Sequence, residues 1–138
     1  MSPGTFRILL VSSIVFGLCS ALVDAVFPSL LPAAFASAQE DQDSSLSNWA
    51  LFATAALALV ALVAGVVAAV GLYLFRSWAP RLALATTALA VLLMLSVGAV
   101  AQSAAASALA ELSSVLWGAV LAVTYYSPLA KRFEPGDA

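Results

Sequence analysis

Two carboxylates, Asp24 and Glu111, fall inside or at the edge of long apolar stretches. An ionisable group in a membrane-spanning segment costs about 3 kcal/mol or more unless it is paired or protonated, so each is a candidate for proton or cation handling. Ser114 and Trp117 follow Glu111 closely, and with the two acids they form a candidate intramembrane polar site. One reading is a protonatable or cation-attracting site that faces outward, as in a transporter or channel. The structural reading is that the Ser114 hydroxyl or the Trp117 indole holds Asp24, while Glu111 is hydrated at the interface. Two acids sharing a proton would be a third arrangement.

Depth distinguishes the two acids. Asp24 lies 17 positions after Arg7, roughly 25 Å along a helix. Glu111 lies 20 positions before Lys131, roughly 30 Å along its helix. Both then belong to the outer half of a bilayer, with Glu111 nearer water and Ser114 level with Asp24. Ser107, Glu111, Ser114, Gly118, Leu121 and Tyr125 recur at steps of four and three, so they share one helix face. That face is expected to turn inward, toward Asp24.

Little else could do chemistry. Histidine is absent, which removes the commonest metal ligand and the usual general base near neutral pH. There is no Gly-rich phosphate loop and no CxxC, and no residue is assigned a catalytic, cofactor-binding or metal-binding role. The single cysteine, Cys19, sits in an apolar stretch and is expected to be a small buried hydrophobe. The residue before it is Leu18, where a lipoprotein signal needs a small side chain. The expectation is a protein that is not an enzyme.

The elements that carry these residues follow from composition. Of 138 residues, 64% are hydrophobic and 9% charged, with mean hydropathy +1.08. A soluble domain of this size needs more charge to cover its surface, so most of the chain must face lipid or other helices. A net charge of −2 offers no footprint for nucleic acid, and no basic cluster along the chain is dense enough for a lipid headgroup site.

The five basic residues occur in three places: Arg7, the pair Arg76 and Arg81, and the pair Lys131 and Arg132. Clustered acid (Glu40, Asp41, Asp43) falls where there is no Lys or Arg. Basic residues are retained on the cytoplasmic side during insertion, so this spacing predicts an all-α, antiparallel up-down bundle of four transmembrane helices with both termini cytoplasmic. As a single domain over 1–138, the helices are expected at about 8–35, 50–75, 81–101 and 108–129, with an acidic outer loop at 36–47.

Pro28 and Pro32 should loosen the first helix near its outer end. Ser45 or Ser47 is a plausible N-cap for the second helix, with Trp49 in an interfacial aromatic belt. Pro80 should separate the second and third helices at a tight turn. Residues 102–107 should form a short outer turn, making the third and fourth helices packed antiparallel neighbours. The tail from Phe133 to Ala138 is too short to fold.

Ala36-Ser37-Ala38 resembles a signal-peptidase site, and cleavage there would leave three helices. The preceding apolar run is longer than the roughly 7–15 residues of a signal core, which favours an intact first helix. Small residues at Thr54/Ala58, Ala61/Gly65 and Gly65/Ala69 permit close helix packing. Ser12, Ser13, Thr86, Thr87 and Thr124 are expected to bond their own helix backbones.

Leu74-Phe75-Arg76-Ser77-Trp78-Ala79-Pro80-Arg81 and Tyr125-Tyr126-Ser127-Pro128-Leu129 resemble the "LFRxWA" turn and "YxSP" exit of small, functionally uncharacterised bacterial inner-membrane proteins of four helices. The resemblance implies that topology and a bacterial source, and lends no catalytic residue. Small multidrug-resistance transporters share size and helix count, but their essential glutamate lies within the first helix, where this chain has only Asp24, nearer the outer end. The sequence therefore predicts a non-enzymatic interaction or accessory protein of the bacterial inner membrane, surrounded by the lipid bilayer. Its expected partner is another copy of itself or another membrane protein. The alternative is a small oligomeric transporter or channel centred on Asp24.

Overall fold

Residue types at the helix ends explain where each helix starts and stops. The computed structural model describes residues 2–27, 48–97 and 102–133. Among them all regular structure is helical: α1 (Pro3–Val26), α2 (Asn48–Tyr73), α3 (Ala79–Val97), α4 (Ala104–Tyr126) and a 3-10 helix (Pro128–Phe133). Ser2 caps α1 by accepting from the Thr5 amide at 3.2 Å, with Pro3 in the first turn, where its missing N–H is harmless. Phe27 leaves the helical region at φ −122° and ψ 66°. The following Pro28 disfavours helical geometry at that position.

The first helix therefore runs five residues earlier than the expected start at 8. Its expected end at 35, the Pro28 and Pro32 kink, the loop at 36–47, the Ser45 and Ser47 caps and the cleavage site after Ala38 lie outside the described residues, as does the expected end of the third helix at 98–101.

Ser103 caps α4 by accepting from the Ala106 amide at 3.2 Å, so residues 104–107 are helix and not the expected turn. A serine cap followed by three alanines is a strong helix start, which a count of polar residues overlooks. Pro80 lies within the first turn of α3 and does not separate the helices. The reversal comes earlier, at Phe75 (φ 54°), where the Arg76 amide donates to Gly71 O at 2.9 Å and the Phe75 amide to Leu72 O at 3.1 Å. This is a Schellman motif with phenylalanine in the place glycine normally takes.

Three helices, Pro3–Val26, Phe52–Tyr73 and Ala104–Tyr126, are long and apolar enough to cross a membrane, and Ala79–Leu95 is a shorter apolar helix. They pack as two pairs: α1 lies chiefly on α4, and α2 on α3. The third and fourth helices meet only briefly, contrary to the expected neighbour packing. A short connector brings helix ends together without choosing the long contact, and α4 finds a better-matched surface on α1.

The pairs join at the end that carries the basic residues, around Phe6, Leu10, Ala68, Leu72, Ala79, Ala83, Val120, Leu129 and Phe133. Phe133 is buried in the 3-10 helix, so the tail is ordered one residue further than expected; residues 134–138 lie outside the description.

Candidate functional site

The α1/α4 seam is built from a repeat of four and three. On α1 the buried Phe6, Leu10, Ser13 and Ser20 alternate with the half-buried Gly17 and Asp24, and on the α4 side Ser103, Ala106 and Ser113 meet them. The small side chains let two backbones approach closely, and the hydroxyls then reach across. Ser13 donates to Ser113 O at 3.1 Å and Ser113 donates back to Ser13 O at 2.8 Å. Ser20 donates to Ala106 O at 2.8 Å. The register runs antiparallel, because rising numbers on α1 meet falling numbers on α4.

Asp24 closes this ladder. Its Oδ2 accepts from the Ser103 amide at 3.1 Å, at the start of α4. A carboxylate there meets free amides and the positive end of the helix dipole. Its Oδ1 is buried with no hydrogen-bond partner among the described residues.

The rest of the expected site is dispersed. Ser114 donates to Glu111 O on its own helix at 2.8 Å, and the Trp117 indole donates to Thr87 Oγ1 on α3 at 2.8 Å, so neither holds Asp24. Glu111, Ser114, Gly118 and Tyr125 are exposed, and the face expected to turn inward turns outward. Polar content alone picked that face; the seam is chosen by the fit of serine and alanine against α1. Glu111 belongs to the exposed face and is not joined to Asp24. Cys19 is exposed, not buried.

Thr86, Thr87 and Thr124 do bond their own helix, to Ala83 O and Leu121 O. Ser13 differs, because its hydroxyl crosses to α4. Residues that sequence reasoning passed over are Gly17, Ser20, Ser103 and Ser113. Their signal was present as matching four-and-three spacings on two separate stretches.

At the basic end an aromatic cluster ties three elements together. Phe75 lies 5.6 Å from Phe6 and 5.4 Å from Phe133, centroid to centroid. The Arg7 guanidinium sits 4.7 Å from the Tyr73 ring centroid, and that of Arg132 sits 5.8 Å from Phe75, both at cation–π range. Gly71 allows the α2/α3 turn to close, since a Cβ there would fall 2.7 Å from Trp78 Cη2 and 2.8 Å from Ala79 Cβ.

Fold and seam together define an all-helical protein with several helices of membrane-spanning character, organised as two helix pairs joined at one end. Comparison with protein-family models, curated proteins and solved structures finds no match.

Proposed function

We propose that this is a non-enzymatic, multi-pass protein of the bacterial inner membrane that acts by lateral contact with another membrane protein or with further copies of itself. The observation that carries the reading is on α2. Six consecutive residues, Ala55 to Val60, are all exposed. Six residues exceed one and a half turns, so every face of the helix is open there among the described residues. Leu59 and Val60 are 61% and 59% exposed, and Gly65 has open space where a Cβ would point. An apolar helix left open on all sides belongs in lipid or against a partner helix. The placement of the basic residues supports cytoplasmic termini.

The test is native mass and composition after gentle extraction from the source membrane. A stoichiometric second protein or a homo-oligomer supports lateral assembly. A lone monomer that shows no crosslink through cysteines placed at Ala58 or Ala61 would count against it.

A second reading, a small oligomeric transporter or channel, rests on Asp24 Oδ1, the buried carboxylate oxygen that has no hydrogen-bond partner among the described residues. It expects Asp24→Asn to abolish flux in reconstituted vesicles while insertion is preserved; wild-type flux in that variant removes it.

A further inference from the structure

Three separate parts of the chain meet at a half-open groove of about 350 Å³ at the basic end. The α2–α3 turn and the start of α3 supply Ser77, Trp78 and Arg81; the end of α4 supplies Thr124 and Tyr125; the 3-10 helix supplies Phe133. Along the sequence Arg81 and the Lys131/Arg132 pair are about fifty residues apart, so no cluster is visible there. Folding makes the segment that bears Lys131 and Arg132 one wall of the groove that holds Arg81.

We propose that this groove binds the phosphate headgroup of an anionic phospholipid, with Arg81 as the cation that engages it. This rests on the membrane-spanning reading of the helices and is independent of any lateral partner. Four features argue for that occupant. Arg81 is exposed and lines the groove, whereas the Arg7 and Arg132 guanidinia are engaged over aromatic rings. No carboxylate among the described residues lines the groove. Ser77 and Tyr125 add hydroxyl donors suited to phosphate oxygens. Trp78 and Tyr125 mark the depth at which headgroups and acyl chains meet, and their neighbour Phe133 offers apolar surface to the glycerol end of a lipid. Basic pockets between helix ends on the cytoplasmic side suit such headgroups, and a planar guanidinium can give phosphate two parallel bonds.

The full-length protein in detergent would be titrated with phosphatidylglycerol and, separately, phosphatidylcholine, and the lipid adducts counted by native mass spectrometry. Preferred retention of phosphatidylglycerol is expected. Arg81→Gln should weaken it about tenfold, the loss of one charge-assisted contact, and Arg81→Lys should restore part of it. Arg7→Gln removes the same charge at the same end and should leave retention near wild type. Circular dichroism and elution volume confirm that each variant is folded. Equal binding of the two lipids, equal losses in Arg81→Gln and Arg7→Gln, or displacement of the lipid by millimolar inorganic phosphate would each overturn the assignment.

Discussion

The hydroxyls of Ser13 and Ser113 exchange hydrogen bonds, each donating to the carbonyl oxygen of the other residue, at 3.1 and 2.8 Å. Both carbonyls already lie in helices, so each hydroxyl donates to the second lone pair of a carbonyl oxygen and disturbs neither ladder. Gly17, one turn along α1, makes room for this exchange: a Cβ there would sit 3.1 Å from Ser113 Oγ. The serine hydroxyls of the seam are thus satisfied, and the polar atom left buried without a partner among the described residues is Asp24 Oδ1.

Gly17→Ala should displace the Ser113 hydroxyl and cost the bond it makes, about 0.6 kcal/mol and at most about 1.7 by comparison with other membrane helices. With Ser113→Ala already in place the conflict disappears, because Ser113 Cβ lies at an ordinary 3.9 Å from the new methyl. A double-mutant cycle read by unfolding in mixed micelles should therefore show Gly17→Ala to be nearly neutral in the Ser113→Ala background. Additive losses would mean that the hydroxyl is not what Gly17 accommodates.

Asp24 anchors the far end of the seam through the Ser103 amide. Asp24→Asn keeps an acceptor oxygen and should hold stability within about 1 kcal/mol of wild type, whereas Asp24→Leu leaves the Ser103 amide without its acceptor at a cost of about 1–2 kcal/mol, with the Ser103 cap still in place. Ser103→Ala removes the bond to the Ala106 amide and should cost about 1 kcal/mol on its own. Equal destabilisation by asparagine and leucine would show that charge, and not acceptance, is what the site requires.

The helices themselves were legible because apolar runs bounded by proline, serine and arginine leave few alternatives. Their pairing was not. Helix α4 carries two polar stripes one residue out of step, one through Ser107, Glu111 and Ser114, the other through Ser103 and Ser113. A single stretch cannot say which stripe is buried. That choice depends on whether a second stretch offers small residues in matching register, as Ser13, Gly17 and Ser20 on α1 do. The same holds for the candidate site: Asp24 was visible as a misplaced charge, but its partner is a backbone amide, which has no signature in side-chain types. The groove at Arg81 was invisible for a similar reason, since its lining residues are scattered over more than fifty positions.

Gly71→Ala should destabilise the α2/α3 turn by about 1–3 kcal/mol, the usual penalty for overpacking. The new methyl would meet both Trp78 Cη2 at 2.7 Å and Ala79 Cβ at 2.8 Å. Trp78→Ala removes only the first obstacle, so the double variant should recover little. Full rescue, measured by thermal unfolding in detergent, would show that the indole alone limits the approach of the two helices.

Phe75 occupies a left-handed conformation, φ 54°, that costs a non-glycine residue about 1–2 kcal/mol. Glycine would remove that strain but also the ring that touches Phe6 and Phe133. Burying a phenylalanine is worth about 3 kcal/mol when complete, and Phe75 is half-buried. The two terms nearly balance, with the ring contacts ahead, so Phe75→Gly should lose about 1 kcal/mol and loosen the 3-10 helix, seen as faster proteolysis after Lys131. A more stable and equally resistant variant would show that the ring cluster contributes nothing to order at this end.

Thiol labelling decides the orientation of the chain. Cys19 is exposed on α1, where in the membrane reading it faces lipid and is out of reach of a charged reagent; replacing it by alanine gives a clean background. Gln102, at the end opposite the basic residues, is exposed. A cysteine there should react with an impermeant maleimide in intact cells. Cysteines at Ser77 and Lys131, both exposed at the basic end, should react only after the membrane is opened. That pattern is expected if Arg7, Arg76, Arg81, Lys131 and Arg132 are retained on one side during insertion. Neutralising Arg76 and Arg81 while placing two lysines within 36–47 should therefore invert the labelling of at least part of the population. If the labels at Gln102 and Ser77 stay where they were, orientation is set by something other than the basic residues, and the cytoplasmic assignment of both termini loses its physical basis.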